Sequence, residues 1–181
     1  MNRIVVIGCA GSGKSTLSQK LGEIYKLPVI HLDKFYWKPS WVESPKDEWD
    51  QTVEAFTKKD QWIIDGNYAR TMEQRLERAD LVIFLDMPRW LCLYRVLKRR
   101  VIYHKKTRPD MNEGCPEKID FEFMKWVWNY RKRSRGNILT RLENVKGQKE
   151  VLIVKTRKTA EEILRTLEHT SKKVHANIDE E

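Results

Sequence analysis

The sequence predicts an α/β fold, a five-stranded parallel sheet with helices on both faces. Three observations predict it. Five short apolar runs, RIVVIG (3–8), PVIHLD (28–33), WIIDGNY (62–68), LVIFLD (81–86) and VLIVKT (151–156), alternate with stretches of helical spacing. LVIFLD is apolar nearly throughout, as strands of a parallel sheet buried on both faces tend to be. The stretch GCAGSGKST (8–16) joins the first run to the first helix, at the sheet edge where ligands bind in such folds.

Each connecting element has its own signal. A helix is expected from about Lys14 to Tyr25, with Leu17, Leu21 and Ile24 on one face. After the second strand, FYWKPSW (35–41) reads as an aromatic loop. Ser44 is the expected N-cap of the next helix, with Pro45 first inside it, Asp47 and Glu48 in its first turn, and Trp49, Val53 and Phe56 along one face. Thr71 and Gln74 form a capping-box pair for a short helix carrying Met72 and Leu76. Residues 88–103 read as a basic helix, and 104–118, with Pro, Gly and Asn, as a mobile loop. A helical pattern follows from about Ile119 to Leu142, bent or broken near Gly136. Thr159 and Glu162 make another capping box for a last helix that buries Ile163, Leu164 and Leu167. The tail 169–181 is polar and expected to fray. No repeat or linker interrupts residues 1–168, so they are expected to form one domain.

Composition narrows the function. RIVVIG is too short for the apolar core of a signal peptide, and no run is long enough to span a bilayer. The three cysteines, Cys9, Cys92 and Cys115, are odd in number and far apart, which fits a reducing cytoplasm better than a disulfide framework. A zinc site is not expected, since Cys115 and His104 are the only ligand types close together and a structural site wants four. The net charge is +9. Residues 89–135 hold 14 Lys/Arg against 5 Asp/Glu, and the rest holds 21 of each sign. The whole excess sits in one segment, which is therefore expected to meet an anion, either nucleotide phosphate or nucleic-acid backbone.

The strongest motif is Gly8-x4-Gly13-Lys14-Ser15, a Walker A phosphate loop (P-loop) between a strand and a helix. Gly8, Gly11 and Gly13 let backbone amides curl around a β-phosphate, helped by the helix N-terminus, and Ser12 and Thr16 are expected to bind the nucleotide with them. Lys14 is expected to bridge the β- and γ-phosphates, and the Ser15 hydroxyl to ligate Mg²⁺. Three strand-end carboxylates could serve the site, though each could instead be a turn-former. Asp65 in IIDG is the Walker-B-like match and the expected second metal ligand. Asp33 ends the second strand, where an acceptor would lie and where it could take a hydroxyl proton. Asp86 precedes Met87-Pro88 and reads first as a cap on the following helix.

GCAGSGKST, HLDKFYW, IIDGNY and FLDMP together resemble the nucleoside-monophosphate-kinase-like P-loop proteins. More closely, they resemble the adenylate-kinase-related family labelled topology modulation protein, over nearly the whole chain to about residue 168. HLDKFYWKPSW is the more family-specific stretch. The resemblance implies strand order 2-3-1-4-5, a small acceptor-binding insertion about 34–60 and an arginine-bearing lid about 100–135. It implies that Arg95, Arg99, Arg131 and Arg135 clamp a triphosphate and stabilise transferring charge. IIDGNYAR places Arg70 one residue beyond the acceptor-phosphate arginine of adenylate-kinase relatives, with Asp65 and Gly66 beside it. Lys155-Thr156-Arg157 matches where relatives hold adenine, so Arg157 is expected at the base. The insertion departs from the pattern: it carries lysines and aromatics but no arginine.

The remaining features admit more than one role. Arg131 and Arg135 share a helical face within WNYRKRSR (128–135). Turned inward they are arginine fingers; turned outward they are a phosphate-backbone footprint or a plain solvated face. A basic lid over a P-loop has the clearest electrostatic task, which favours the first. Tyr36 and Trp37, with Phe35 and Trp41, either stack on a substrate ring or cover the sheet edge. The favoured reading is an ATP- and Mg²⁺-dependent phosphotransferase acting on a small acceptor, monomeric or dimeric. The alternative is a nucleic-acid-associated ATP-binding protein that modulates DNA topology, although no helix-turn-helix, zinc-finger or RNA-binding signature is present. A P-loop regulator that hydrolyses ATP slowly is a third.

Overall fold

A computed structural model describes residues 1–104, 106–118 and 120–178, with side chains up to 170. Five strands build a parallel sheet: β1 (Arg3–Gly8), β2 (Val29–His31), β5 (Trp62–Asp65), β6 (Leu81–Leu85) and β7 (Glu150–Val154). Their order is β2-β5-β1-β6-β7, which is second-third-first-fourth-fifth among the five, as expected. A separate antiparallel hairpin pairs β3 (Trp37–Lys38) with β4 (Val42–Glu43). Ile4 to Ile7, Trp62 to Ile64 and Leu81 to Phe84 have no solvent exposure, which is why these strands read as continuous apolar runs.

Helices flank the sheet: α1 (Lys14–Tyr25), α2 (Leu32–Tyr36), α3 (Lys46–Thr57), α4 (Met72–Arg78), α5 (Arg89–Ile102), α6 (Phe121–Tyr130), α7 (Gly136–Val145) and α8 (Arg157–Ile178). α1 buries Leu17 and Leu21 and packs on α8, while α4 packs with α3 and α7. α5 buries Cys92 and Val96 and exposes Trp90, Tyr94, Leu97 and Val101 along the opposite stripe.

Several boundaries differ from the sequence reading, each because a side chain finds another partner. Pro45, not Ser44, caps α3; the Ser44 hydroxyl donates to the Phe35 carbonyl at 3.1 Å. Thr71 stands at the start of α4, but its hydroxyl turns back to the Tyr68 carbonyl. At α8 it is Thr156 whose hydroxyl accepts from the Thr159 amide, at 3.1 Å. The long helix starts after Asp120, whose carboxylate accepts from the Phe123 amide. It breaks at a π-helical turn, Arg131–Arg135, immediately before Gly136. Ile119, the expected first residue of that pattern, lies outside the described residues. The tail expected from 169 continues α8 to Ile178, and 179–181 lie outside the described residues.

The segment expected to be a loose loop is docked onto the β3–β4 hairpin. The Ser40 amide donates to the Gly114 carbonyl at 2.9 Å, the Asn112 amide group to the Trp37 carbonyl at 3.1 Å, and Trp41 Nε1 to the Pro116 carbonyl at 3.1 Å. Cys115, buried, sets its Sγ 3.2 Å from the Lys38 carbonyl. The hairpin and residues 112–116 therefore form one continuous wall. All three cysteines are free and buried. Among the described residues, no helix is long and apolar enough to cross a membrane, and no His/Cys/Asp/Glu cluster suits a metal.

Candidate active site

The P-loop turns sharply between β1 and α1. Gly11 and Gly13 have φ of 75° and 103°, a region that favours glycine, and a Cβ on Gly11 would strike the Cys92 carbonyl of α5. The helix α1 then begins at Lys14, with Gly13 as its N-cap and no side chain capping its amides. Those amides remain available to an anion. Lys14 Nζ lies 3.2 Å from the Cys9 carbonyl, and Arg95 reaches from α5 to the Ser12 carbonyl at 2.9 Å. The Ser12 hydroxyl is buried without a hydrogen-bond partner, an orphan that an incoming phosphate oxygen would satisfy.

The loop opens into a cavity of about 1280 Å³. Gly11, Gly13, Lys14, Ser15 and Thr16 line one wall, with Arg95 and Arg99 of α5 beside them. Asp33, Trp37, Trp41, Glu43 and Tyr68 line another, and Arg108, Asp110 and Lys118 come from the docked segment. Asp33 is in the first turn of α2, because β2 ends at His31. Tyr68 donates to Asp33 Oδ1 at 2.6 Å; burial, then the adjacent carboxylate, pushes its phenol up and keeps it a donor. Trp37 and Trp41 meet edge to face with centroids 5.5 Å apart. Tyr36 instead packs against Trp37, Trp49 and Tyr68 behind this wall.

The structure separates the three strand-end carboxylates. Asp65 is in parallel register with His31 on the neighbouring strand, so their side chains share a face and bond at 2.6 Å, Nδ1 to Oδ2. Burial opposes a charge on His31, but Asp65, then Asp110 and Asp33, outweigh it and raise its pKa. Asp86 does not cap α5, whose N-cap is Pro88. Its buried carboxylate accepts Arg135 Nε at 2.9 Å on each oxygen and faces Arg131 Nη2 at 3.5 Å. The shared face predicted for these arginines exists, and Asp86 occupies it. Arg133, brought round by the π turn, lines the cavity in their place and lies 4.4 Å over the Trp126 ring.

The other expected residues have definite partners. Arg99 Nε donates to Glu117 Oε1 at 2.8 Å, and Arg108 Nε lies 2.7 Å from Oε2 as an ion pair. Arg70 turns away to the surface, where it grips Asp50 with Nε at 2.8 Å and with Nη2. Arg157 sits at the start of α8 and pairs with Glu161 at 2.7 Å. Gly66 has φ of 135° and gives its carbonyl to Arg75.

Three neighbours of the candidate site have no signal that singles them out in the sequence. Asp110 accepts from the Ser15 hydroxyl at 2.7 Å and from Arg108 at 3.0 Å; burial would raise its pKa, but Arg108, Ser15 and His31 hold it below the usual carboxylate range. Asn67 binds Gly8 of the P-loop, and fully buried Arg75 binds the carbonyls of Gly66, Asn67 and Tyr68. Only the position of Asn67, directly after a strand-end Asp-Gly, hinted at a role.

Comparison with known proteins bears on the fold. No protein-family model matches the chain, and no curated protein matches it. Among solved structures, a shikimate kinase from Acinetobacter baumannii in complex with shikimate is similar, with TM-score 0.56 and 16% identity, over 92% of this chain and 93% of that one. A gluconokinase from Sinorhizobium meliloti has TM-score 0.53 and 16% identity, over 98% of this chain and 95% of that one. The fold is that of P-loop kinases. At such identity the likeness is one of architecture, and chemistry rests on the residues above.

Proposed function

We propose that the chain is an ATP- and Mg²⁺-dependent kinase that moves the γ-phosphoryl group to a hydroxyl of a small acceptor. The observation that carries this reading is the P-loop facing, across one cavity, the Asp33 carboxylate among aromatic side chains. The two kinases of like fold support it. Lys14, the α1 amides and Arg95 would hold the triphosphate, with Arg133 already facing the cavity. Arg99, Arg131 and Arg135 would join only by leaving Glu117 and Asp86. Arg157 would lie beside the base. The hydroxyl of Ser15 and the carboxylate of Asp110 offer the oxygen donors that Mg²⁺ prefers, with Asp65 behind them holding His31. An ion held by those oxygens would supply charge neutralisation to the triphosphate. Asp33 orients the acceptor hydroxyl and takes its proton as the new O–P bond forms and the bond to the β,γ-bridging oxygen breaks, releasing ADP.

The test is Lys14→Ala with calorimetry against Mg-ATP. Affinity falls at least tenfold in a folded variant; unchanged affinity refutes the site.

A further inference from the structure

An acceptor that carries a phosphate or carboxylate needs a cation free to meet it. The guanidinium groups around the acceptor end are already engaged. Arg70, the residue expected to take an acceptor phosphate, is on the outer surface with Asp50. Arg99 and Arg108 share Glu117, whose side chain is only 2% exposed, and Arg108 also binds Asp110. Pulling either arginine onto a substrate would leave buried Glu117 with one guanidinium in place of two, which is unfavourable. Arg141 at the cavity edge holds the Ala69 carbonyl at 2.8 Å and Glu73 at 3.1 Å. Lys118 is exposed and lies 5.9 Å over the Trp41 ring.

Apart from Lys118 at the exposed rim, what faces the acceptor end among the described residues is acidic and aromatic. Asp33 and Glu43 present carboxylates, and Trp37, Trp41 and Tyr68 present rings. Carboxylates accept hydroxyl protons and repel anions at close range. The edge-to-face Trp37–Trp41 pair leaves an angled apolar wall suited to a flat ring face.

We infer that the acceptor is an uncharged hydroxylated ring compound, of sugar or nucleoside type, and not its phosphorylated or carboxylate counterpart. This deepens the kinase reading above and rests on it. Asp33 takes the reactive hydroxyl, the tryptophan wall takes the ring, and the paired arginines close the site without offering a charge. The docking of residues 112–116 onto the hairpin fixes that wall in place.

The experiment uses the full chain and two arms of matched pairs. The sugar arm compares ribose with ribose 5-phosphate and glucose with gluconate. The nucleoside arm compares thymidine and cytidine with their 5′-monophosphates. ADP release is measured above the no-acceptor rate, and Mg-ATP binding is measured separately by calorimetry. A neutral member should turn over with kcat/KM at least tenfold above that of its anionic partner, and the arm that responds names the source. Trp37→Ala should raise that acceptor's KM more than fivefold, with Trp37→Phe recovering most of the loss. A higher kcat/KM for an anionic partner overturns the inference. So does Mg-ATP binding without turnover of any neutral compound, which leaves the nucleotide site standing. A folded protein that does not bind Mg-ATP overturns the kinase reading and this inference together.

Discussion

Asn67 holds Gly8 by both ends of its amide. The Gly8 N–H donates to Asn67 Oδ1 at 3.0 Å, and Asn67 Nδ2 donates to the Gly8 carbonyl at 2.8 Å. The side chain acts as a short piece of strand, continuing the β1–β5 pairing two residues past Val6 and Asp65. It ties the first residue of the P-loop to the turn that also carries Tyr68, the partner of Asp33. The P-loop and the wall that carries Asp33 thus share one brace.

Replacing Asn67 by Leu removes both bonds and leaves two polar groups of the Gly8 backbone to find water. The cost to stability is about 2 kcal/mol, from the usual penalty for such unmet groups. Mg-ATP affinity should fall about tenfold with it, because the loop loses its anchor. Calorimetry and urea unfolding read the two effects; a variant that matches the wild type in both would show the brace to be idle.

Arg75 is the second brace, with no exposure and no carboxylate partner. Burial pulls its pKa down to about 10, so it stays charged at neutral pH. Its charge is held by four carbonyl dipoles, from Gly66 at 2.8 Å, Asn67 at 2.7 Å, Tyr68 at 3.0 Å and Thr71 at 3.2 Å, with the Asp65 carboxylate adding support. Arg75→Met fills the space but leaves those carbonyls unmet, and should cost about 3 kcal/mol in urea unfolding. A loss within experimental error would mean that water or a shifted turn replaces the guanidinium.

These braces show where sequence reasoning stops. The sheet was legible because its strands are buried on both faces, so Ile4–Ile7 and Leu81–Phe84 could be read as runs. The P-loop was legible because its spacing alone carries the chemistry. Asp110 was not, since it reaches Ser15 across 95 residues from a segment with no periodicity. Arg131 and Arg135 were placed on one face correctly, but nothing local says that Asp86, distant in sequence, claims that face. The π turn then rotates Arg133 inward, a register change that helical spacing cannot foresee.

His31 gives a pH signature. Its folded pKa is raised above the ordinary value of about 6.5, by Asp65 against the opposing effect of burial. A raised pKa means that the protonated form favours the fold. The contribution is therefore complete below about pH 6.5 and is lost as pH rises through the folded value. His31→Gln should be more destabilising relative to wild type at pH 5.5 than at pH 9 in urea unfolding. Nuclear magnetic resonance titration should place the His31 midpoint above 6.5; a midpoint at or below it would refute the pairing.

The Asp86 clamp predicts an asymmetric pair of variants. The Asp86 side chain is 1% exposed, whereas those of Arg131 and Arg135 are 44% and 31% exposed. Removing the carboxylate lets two partly exposed guanidinium groups return to water, so Asp86→Ala should cost about 1–2 kcal/mol. Removing Arg135 leaves a buried carboxylate with only the 3.5 Å contact to Arg131, so Arg135→Ala should cost about 3 kcal/mol or more. The double variant relieves the stranded charge and should be more stable than Arg135→Ala alone. Strict additivity in a double-mutant cycle would contradict the clamp, because residues in one ion-pair network couple. The same cycle repeated with saturating Mg-ATP tests the triphosphate role proposed for Arg135. If the nucleotide draws Arg135 off Asp86, the coupling energy shrinks on binding; if it persists at full size, Arg135 serves the fold and the charge on the phosphates falls to Lys14, Arg95 and Arg133.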